Sequence, residues 1–235
     1  MKHLLNVLVT ALAVSAATAL AQQAPEHTCR ILFLDGPDAA PDTLHLFDGV
    51  SSREVELPRM NFSKVYELRP GALTLCLLPN AVDDPDLVPP GAPTVKVPAG
   101  TADFYLLVTS DPDNKVAPVR LQVINANAER LKRGQMLWFN LTKNTVGGTV
   151  GSEKLAIKPN SRVTLDAPAR GNTNYPVDLA FRIPGKKPLY PLCETRWRHD
   201  PRSRSVAFII TKPGVRTPRV LVFPDYREPA GEGER

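Results

Sequence analysis

Short apolar runs, set among stretches where apolar and polar residues alternate, divide this chain into many brief extended segments. The densest run is Met136-Leu137-Trp138-Phe139, continued by Leu141. So short a run, rich in aromatics and bounded by turn residues, predicts a strand buried on both faces. Gly147-Gly148 and Gly151-Ser152 then read as punctuation. Leu155 and Ile157 alternate with Lys154 and Lys158. After a Pro159-Asn160-Ser161 turn, Val163 and Leu165 alternate with Arg162, Thr164 and Asp166. Alternation of period two puts one face in the core and the other in water. The stretch 134–165 thus predicts an antiparallel meander of strand, turn, strand, turn, strand.

The rest of the chain repeats this texture. Upstream, strands are predicted at 29–35, 43–47, 53–57, 62–68, 72–78, 94–97 and 102–109. Asp- and Pro-rich turns separate them, and 80–93 forms an acidic, proline-rich loop. Downstream, 176–183, 189–198, 205–211 and 219–223 read as strands. The only helix-like patch, 125–134, is one turn at most. Spacing of eight to twelve residues between short strands is the pattern of a sandwich. The fold expected is all-β: antiparallel, immunoglobulin-like β-sandwiches, as two packed sandwiches or one extended double sandwich. Twenty-four prolines agree, since proline interrupts long helices.

The first 21 residues stand outside that fold. Lys2 and His3 precede an apolar stretch ending in Ala19-Leu20-Ala21, which predicts a secretory signal peptide cleaved after Ala21 and an exported protein, periplasmic or extracellular. No later stretch approaches membrane-spanning length, so an integral membrane protein is not expected. The Asp111-Pro-Asp-Asn-Lys115 stretch is the best domain boundary. It divides the mature chain into a sandwich over 22–112 and another over 113–228, followed by a disordered tail, 229–235. The alternative is a hairpin turn joining 104–109 to 119–124.

Charge separates the two halves. From 22 to 112, six Lys+Arg face thirteen Asp+Glu; from 113 to 235, twenty-two face eleven. Such a swing could pin two domains together, align subunits or offer a basic face to a polyanion. The basic face expected draws on Arg130, Lys132, Arg133, Arg196, Arg198, Arg202 and Arg204. Three cysteines in an exported chain allow one bridge. Cys29 and Cys76, both on predicted strands of one half, are the expected pair, with Cys193 left over.

Two local resemblances accompany these patterns. Arg30, Pro37-Asp38-Ala39, Pro41, Asp48-Gly49, Tyr66, Leu68 and Gly71 resemble a bacterial secreted domain of unknown function, similar to immunoglobulin-like sandwiches on cell surfaces. It spans roughly fifty residues, with Ala40 inserted in the turn and Leu44 where that family tends to carry Asp. Phe139-Asn140-Leu141-Thr142, 157–160 and the tryptophan, Asp-Pro and arginine pattern of 197–202 are similar to small exported bacterial β-proteins. Neither resemblance brings catalytic residues.

The candidates for chemistry are sparse. The mature chain has only His27, His45 and His199, and no G-x-S-x-G. His199-Asp200 beside Ser203 and Ser205 could be assembled into a hydrolytic group, but in a Pro/Arg turn. No zinc spacing is present, Cys193 with His199 lacks the following Met of a copper site, and 83–86 and 111–114 are oxygen-rich loops of the kind that bind calcium or simply turn. Trp197, Tyr175, Tyr190 and Tyr226 are the aromatics placed near strand ends, where carbohydrate recognition would want them. No cofactor is expected. Nucleic acid is not an expected partner for an exported chain without an RNA-binding signature. The reading is a non-catalytic structural, adhesive or envelope-interaction module, or one that binds an anionic glycan or other polyanion. An enzyme ranks third.

Overall fold

The computed structural model describes residues 27–212 and 214–226. The expected signal peptide and tail lie outside the described residues. Among the described residues sixteen strands follow one another, with a single 3-10 turn at Pro85–Leu87. The first eight are β1 (His27–Phe33), β2 (Thr43–Phe47), β3 (Ser52–Glu56), β4 (Tyr66–Leu68), β5 (Leu73–Leu78), β6 (Thr94–Val97), β7 (Asp103–Ser110) and β8 (Val119–Asn125). The second eight are β9 (Met136–Asn140), β10 (Thr145–Val150), β11 (Glu153–Ile157), β12 (Ser161–Leu165), β13 (Asn174–Arg182), β14 (Tyr190–Arg198), β15 (Ser203–Ile210) and β16 (Arg219–Tyr226).

They form four four-stranded sheets, two to a sandwich. The first sandwich has sheets ordered β4-β1-β7-β8 and β3-β2-β5-β6. The second has β12-β9-β15-β16 and β11-β10-β13-β14. The second order repeats the first, strand for strand, eight positions on. Even the one parallel pair recurs: β1 with β7, and β9 with β15. All-β architecture and two packed sandwiches hold as expected. The likeness to immunoglobulin domains is in the face-to-face sheets. The neighbours differ, because the first strand here lies between the fourth and seventh rather than beside the second.

Three apolar layers glue the four sheets into a stack. Ile31 and Phe33 of β1 meet Leu75 and Leu77 of β5 inside the first sandwich. Trp138 of β9 meets Val177 and Leu179 of β13 inside the second. Between the sandwiches, Leu32, Tyr105 and Leu107 meet Leu137, Phe139, Phe208 and Phe223. This third layer explains why β9 is buried along its whole length: Trp138 faces one core and its neighbours Leu137 and Phe139 face another. Both parallel-paired sheets are therefore central, and both outer sheets present one face to water.

Three expectations need correction. The boundary at 112/113 falls inside the β7–β8 hairpin, where Ser110 is opposite Val119. The chain leaves the first sandwich only after Asn125. The charge contrast survives the move: 22–126 carries eight Lys+Arg and fourteen Asp+Glu, and 127–235 carries twenty and ten. The meander is split as well. β9 pairs with β12, while the β10–β11 hairpin crosses to the opposite sheet. The strand β10 runs through the Gly147-Gly148 pair that reads as a turn.

The third correction concerns the expected disulfide. No disulfide joins any two of Cys29, Cys76 and Cys193. Cys29 faces the interior of the first sandwich. Cys76 sits between Leu75 and Leu77 on β5, so strand alternation turns it to the other side of its sheet. There it packs with Phe47 and Leu78 under the proline-rich loop. Two thiols on opposite sides of a sheet do not meet the geometry of a bond. Non-reducing peptide mapping is expected to recover all three cysteines as thiols, and a Cys29–Cys76 peptide would contradict this packing.

Candidate functional site

A buried ion network sits on the seam between the sandwiches. Asp225 of β16, with no exposed side-chain surface, pairs with Arg30 of β1 and with Arg204 of β15. The Arg204 Nε donates to Asp225 Oδ2 at 3.0 Å. The Tyr105 hydroxyl donates to the same oxygen at 2.6 Å. Arg204 also pairs with Asp103 of β7. Two guanidinium groups thus face two carboxylates, from both sandwiches. Burial alone would lower the Arg204 pKa, but Tyr105, Asp103 and Asp225 outweigh it and raise the value, so this arginine stays charged. Asp35 adds a more exposed pair across the seam with Arg219. The charge difference between the halves is in part answered here.

Arg204 also holds the connector between the sandwiches. Its Nη1 donates to the carbonyls of Ala126, at 2.5 Å, and Leu131, at 3.3 Å. At the connector's far end, the Gly134 N–H donates to Ser203 O at 2.6 Å. Gly134 takes φ +82, which favours glycine. Between those ties stand Lys132 and Arg133, both exposed. A turn at 199–204 faces them. The Asp200 carboxylate caps it, accepting from the Arg202 N–H at 2.9 Å and from the Arg202 side chain at 2.9 and 3.1 Å. Those bonds hold Asp200 at a pKa of about 2. Connector and turn enclose a cavity of about 230 Å³ lined by Lys132, Arg133, Arg202, Arg204, Asp103 and Asp225.

Four of the seven basic residues named from sequence therefore converge on one cavity. Of these, Arg204 is buried with its donors on acids and carbonyls of the chain, so it frames the site rather than presenting charge outward. The other three stand elsewhere. Arg130 lines a separate cavity of about 300 Å³ with Arg162. Arg196 and Arg198 are exposed on β14, where Arg198 donates to Asn172 Oδ1 at 2.8 Å. Asp103 and Asp225 were not singled out from sequence. An acid in the core-facing register of the apolar run 219–223, extended to Asp225, is the signal that marks one of them.

Beside the seam, across the same turn, lies a second cavity of about 320 Å³. It opens between β14 and β16, the edge strands of the two sheets of the second sandwich. Its walls include Met136, Tyr175, Trp197, Val222, Pro224 and Tyr226. Trp197 stacks on Trp138 with centroids 6.0 Å apart, and Tyr175 meets Trp197 edge-on at 6.3 Å. Burial pushes the Tyr175 hydroxyl up to a pKa of about 12, and it donates to Met136 Sδ at 3.6 Å. Tyr190, the fourth aromatic named from sequence, packs near Phe181 instead, at 5.5 Å.

His199, Asp200, Ser203 and Ser205 also line this cavity, but the hydrogen bonds of a hydrolytic relay are not the ones they make. The Asp200 carboxylate is turned to Arg202, and Ser203 Oγ donates to the Asp200 carbonyl at 3.1 Å. Burial lowers the His199 pKa, against a smaller opposing pull from Asp200. The folded state therefore binds its proton less readily than the unfolded chain. His199 is expected to cost no stability above about pH 6.5 and to weaken the fold as pH falls below that value. Denaturation midpoints at pH 7.5 and pH 5.5 for wild type and His199→Gln check this; an equal fall in both would remove His199 as the cause. The Cys193 thiol is pushed up by burial and stays protonated.

The oxygen-rich loops have internal uses. Asp84 caps the 3-10 turn, accepting from the Asp86 N–H at 2.9 Å. Asp111 pairs with Arg120 across the β7–β8 hairpin. Among the described residues no three His, Cys, Asp or Glu side chains gather as a metal site, and no helix is long and apolar enough to cross a membrane. No family model matches the chain, and no curated protein is significantly similar to it.

Proposed function

We propose that this protein is an exported, non-catalytic module that attaches to an anionic component of the cell envelope or surface, with an acidic polysaccharide as the fitting chemistry. The observation that carries this reading is the cavity at the seam, where Lys132, Arg133 and Arg202 stand around the fixed Arg204. Connector and turn are tied at both ends by hydrogen bonds, so these cations are presented without large ordering cost. The signal sequence supplies the compartment. The disengaged His199, Asp200 and Ser203 support a binding role over hydrolysis.

Exposed cations bind polyanions through screened charge. The protein is expected to stay on an immobilised acidic polysaccharide at about 0.05 M salt and to elute well before about 1 M, where the screening length has shrunk to about 3 Å. Failure to bind at low salt, or binding that persists at high salt, would overturn the reading.

A further inference from the structure

The cavity between β14 and β16 has a composition of its own. Aromatic and apolar side chains on one part of its wall meet polar ones, Arg198, His199, Asp200, Ser203 and Ser205, on the other, and its volume is at the lower end of the range for small-ligand sites. His199 is only 6 % exposed, yet its ring accepts and donates no hydrogen bond among the described residues. His199 is one of the residues that line the cavity. The Ser205 hydroxyl lines the same space and makes no hydrogen bond among the described residues. Polar groups this enclosed normally have a partner. Trp197, half-buried, and Tyr226, 57 % exposed, offer ring surface at the mouth.

We infer that this cavity is a saccharide subsite of the polymer held at the seam, taking a sugar ring against Trp197 and Tyr226. The hydroxyls of that ring bond to His199 and Ser205, and the acidic group of a neighbouring residue reaches Arg202 and Lys132. The inference rests on the seam reading above. Geometry favours it because one turn, 199–204, lines both cavities: His199, Asp200 and Ser203 face the aromatic one, and Arg202 and Arg204 face the basic one. A polymer whose rings carry carboxylates or sulfates matches both. A neutral polymer matches only the first.

Trp138 and Trp197 are the only tryptophans in the chain, so intrinsic emission reports on this cavity. Titration with an oligogalacturonate tetrasaccharide is expected to change tryptophan emission saturably, while a neutral hexose tetrasaccharide binds much more weakly. Tyr226→Ala, at a position too exposed to endanger the fold, is expected to weaken the acidic ligand about fivefold. Calorimetry in parallel separates the two readings. Heat of binding that is lost on raising salt, with no emission change and no effect of Tyr226→Ala, would sink the subsite and leave the seam reading intact. No heat with either oligosaccharide would sink both. Equal affinity for the two would remove the link between the cavities.

Discussion

Replacing Asp225 by alanine is expected to cost about 3–5 kcal/mol, because it leaves buried guanidinium groups without their carboxylate. The Asp225 side chain is wholly enclosed, and Arg204 is 8 % and Arg30 16 % exposed at the side chain, so water cannot take its place. The Tyr105 hydroxyl loses its acceptor as well. Asp103 still holds one face of Arg204, which keeps the loss from growing further. Urea denaturation of wild type and Asp225→Ala measures it. Tyr105→Phe removes one hydrogen bond from the same network and is expected to cost only about 1 kcal/mol. A fall for Asp225→Ala no larger than that of Tyr105→Phe would mean the network does not tie the sandwiches together.

Gly148→Ala is expected to be nearly as damaging. Gly148 sits in the middle of β10 at φ +149, opposite Leu179 of β13. A Cβ there would run into the Asp178 carbonyl oxygen and lie 2.9 Å from the Leu179 Cα. Both obstacles are backbone of the paired strand, which cannot rotate away. Backbone strain and overpacking together come to about 2–6 kcal/mol. Gly171→Ala is the comparison, since a Cβ at Gly171 meets nothing within 4 Å although its φ is also positive. A thermal midpoint for Gly148→Ala equal to that of Gly171→Ala would show that β10 and β13 are free to separate.

The same glycine shows where sequence reading stops. Gly147-Gly148 has the composition of a turn, and local composition carries no record of a neighbouring strand passing too close for a side chain. The need for glycine comes from β13, about thirty residues downstream. Strands with side chains to show were legible: β2 and β6 fall on the expected residues, and the run at 136–139 has both faces buried as its apolar density implied. The sheet to which each strand belongs was not legible. Alternation says that Cys76 points to the side opposite Leu75 and Leu77, but not that this side is the one away from Cys29.

The candidate site was half visible for a similar reason. Lys132, Arg133 and Arg202 stand out as charge, and the structure brings them to one cavity. Arg204 looks the same in the sequence and does something different. Its parity on β15 turns it toward the seam, where Asp103 and Asp225 wait on strands from both sandwiches. Arg196 and Arg198 lie on β14, in the outer sheet of the stack, so their nearness in sequence to Arg202 does not carry them to the seam.

Two triple variants compare the seam cations with basic charge placed elsewhere. Lys132→Gln, Arg133→Gln and Arg202→Gln together remove the cations of the seam cavity. Lys143→Gln, Lys154→Gln and Lys158→Gln together remove the same formal charge from exposed positions outside it. Calorimetric titration with one acidic polysaccharide at fixed low salt gives the affinity of each. The seam variant is expected to bind about tenfold more weakly than wild type, from a few partly screened contacts acting together. The other should stay near wild type. Equal losses in the two would show that overall charge, rather than the seam, attracts the polymer, and undiminished binding by the seam variant would contradict the site itself.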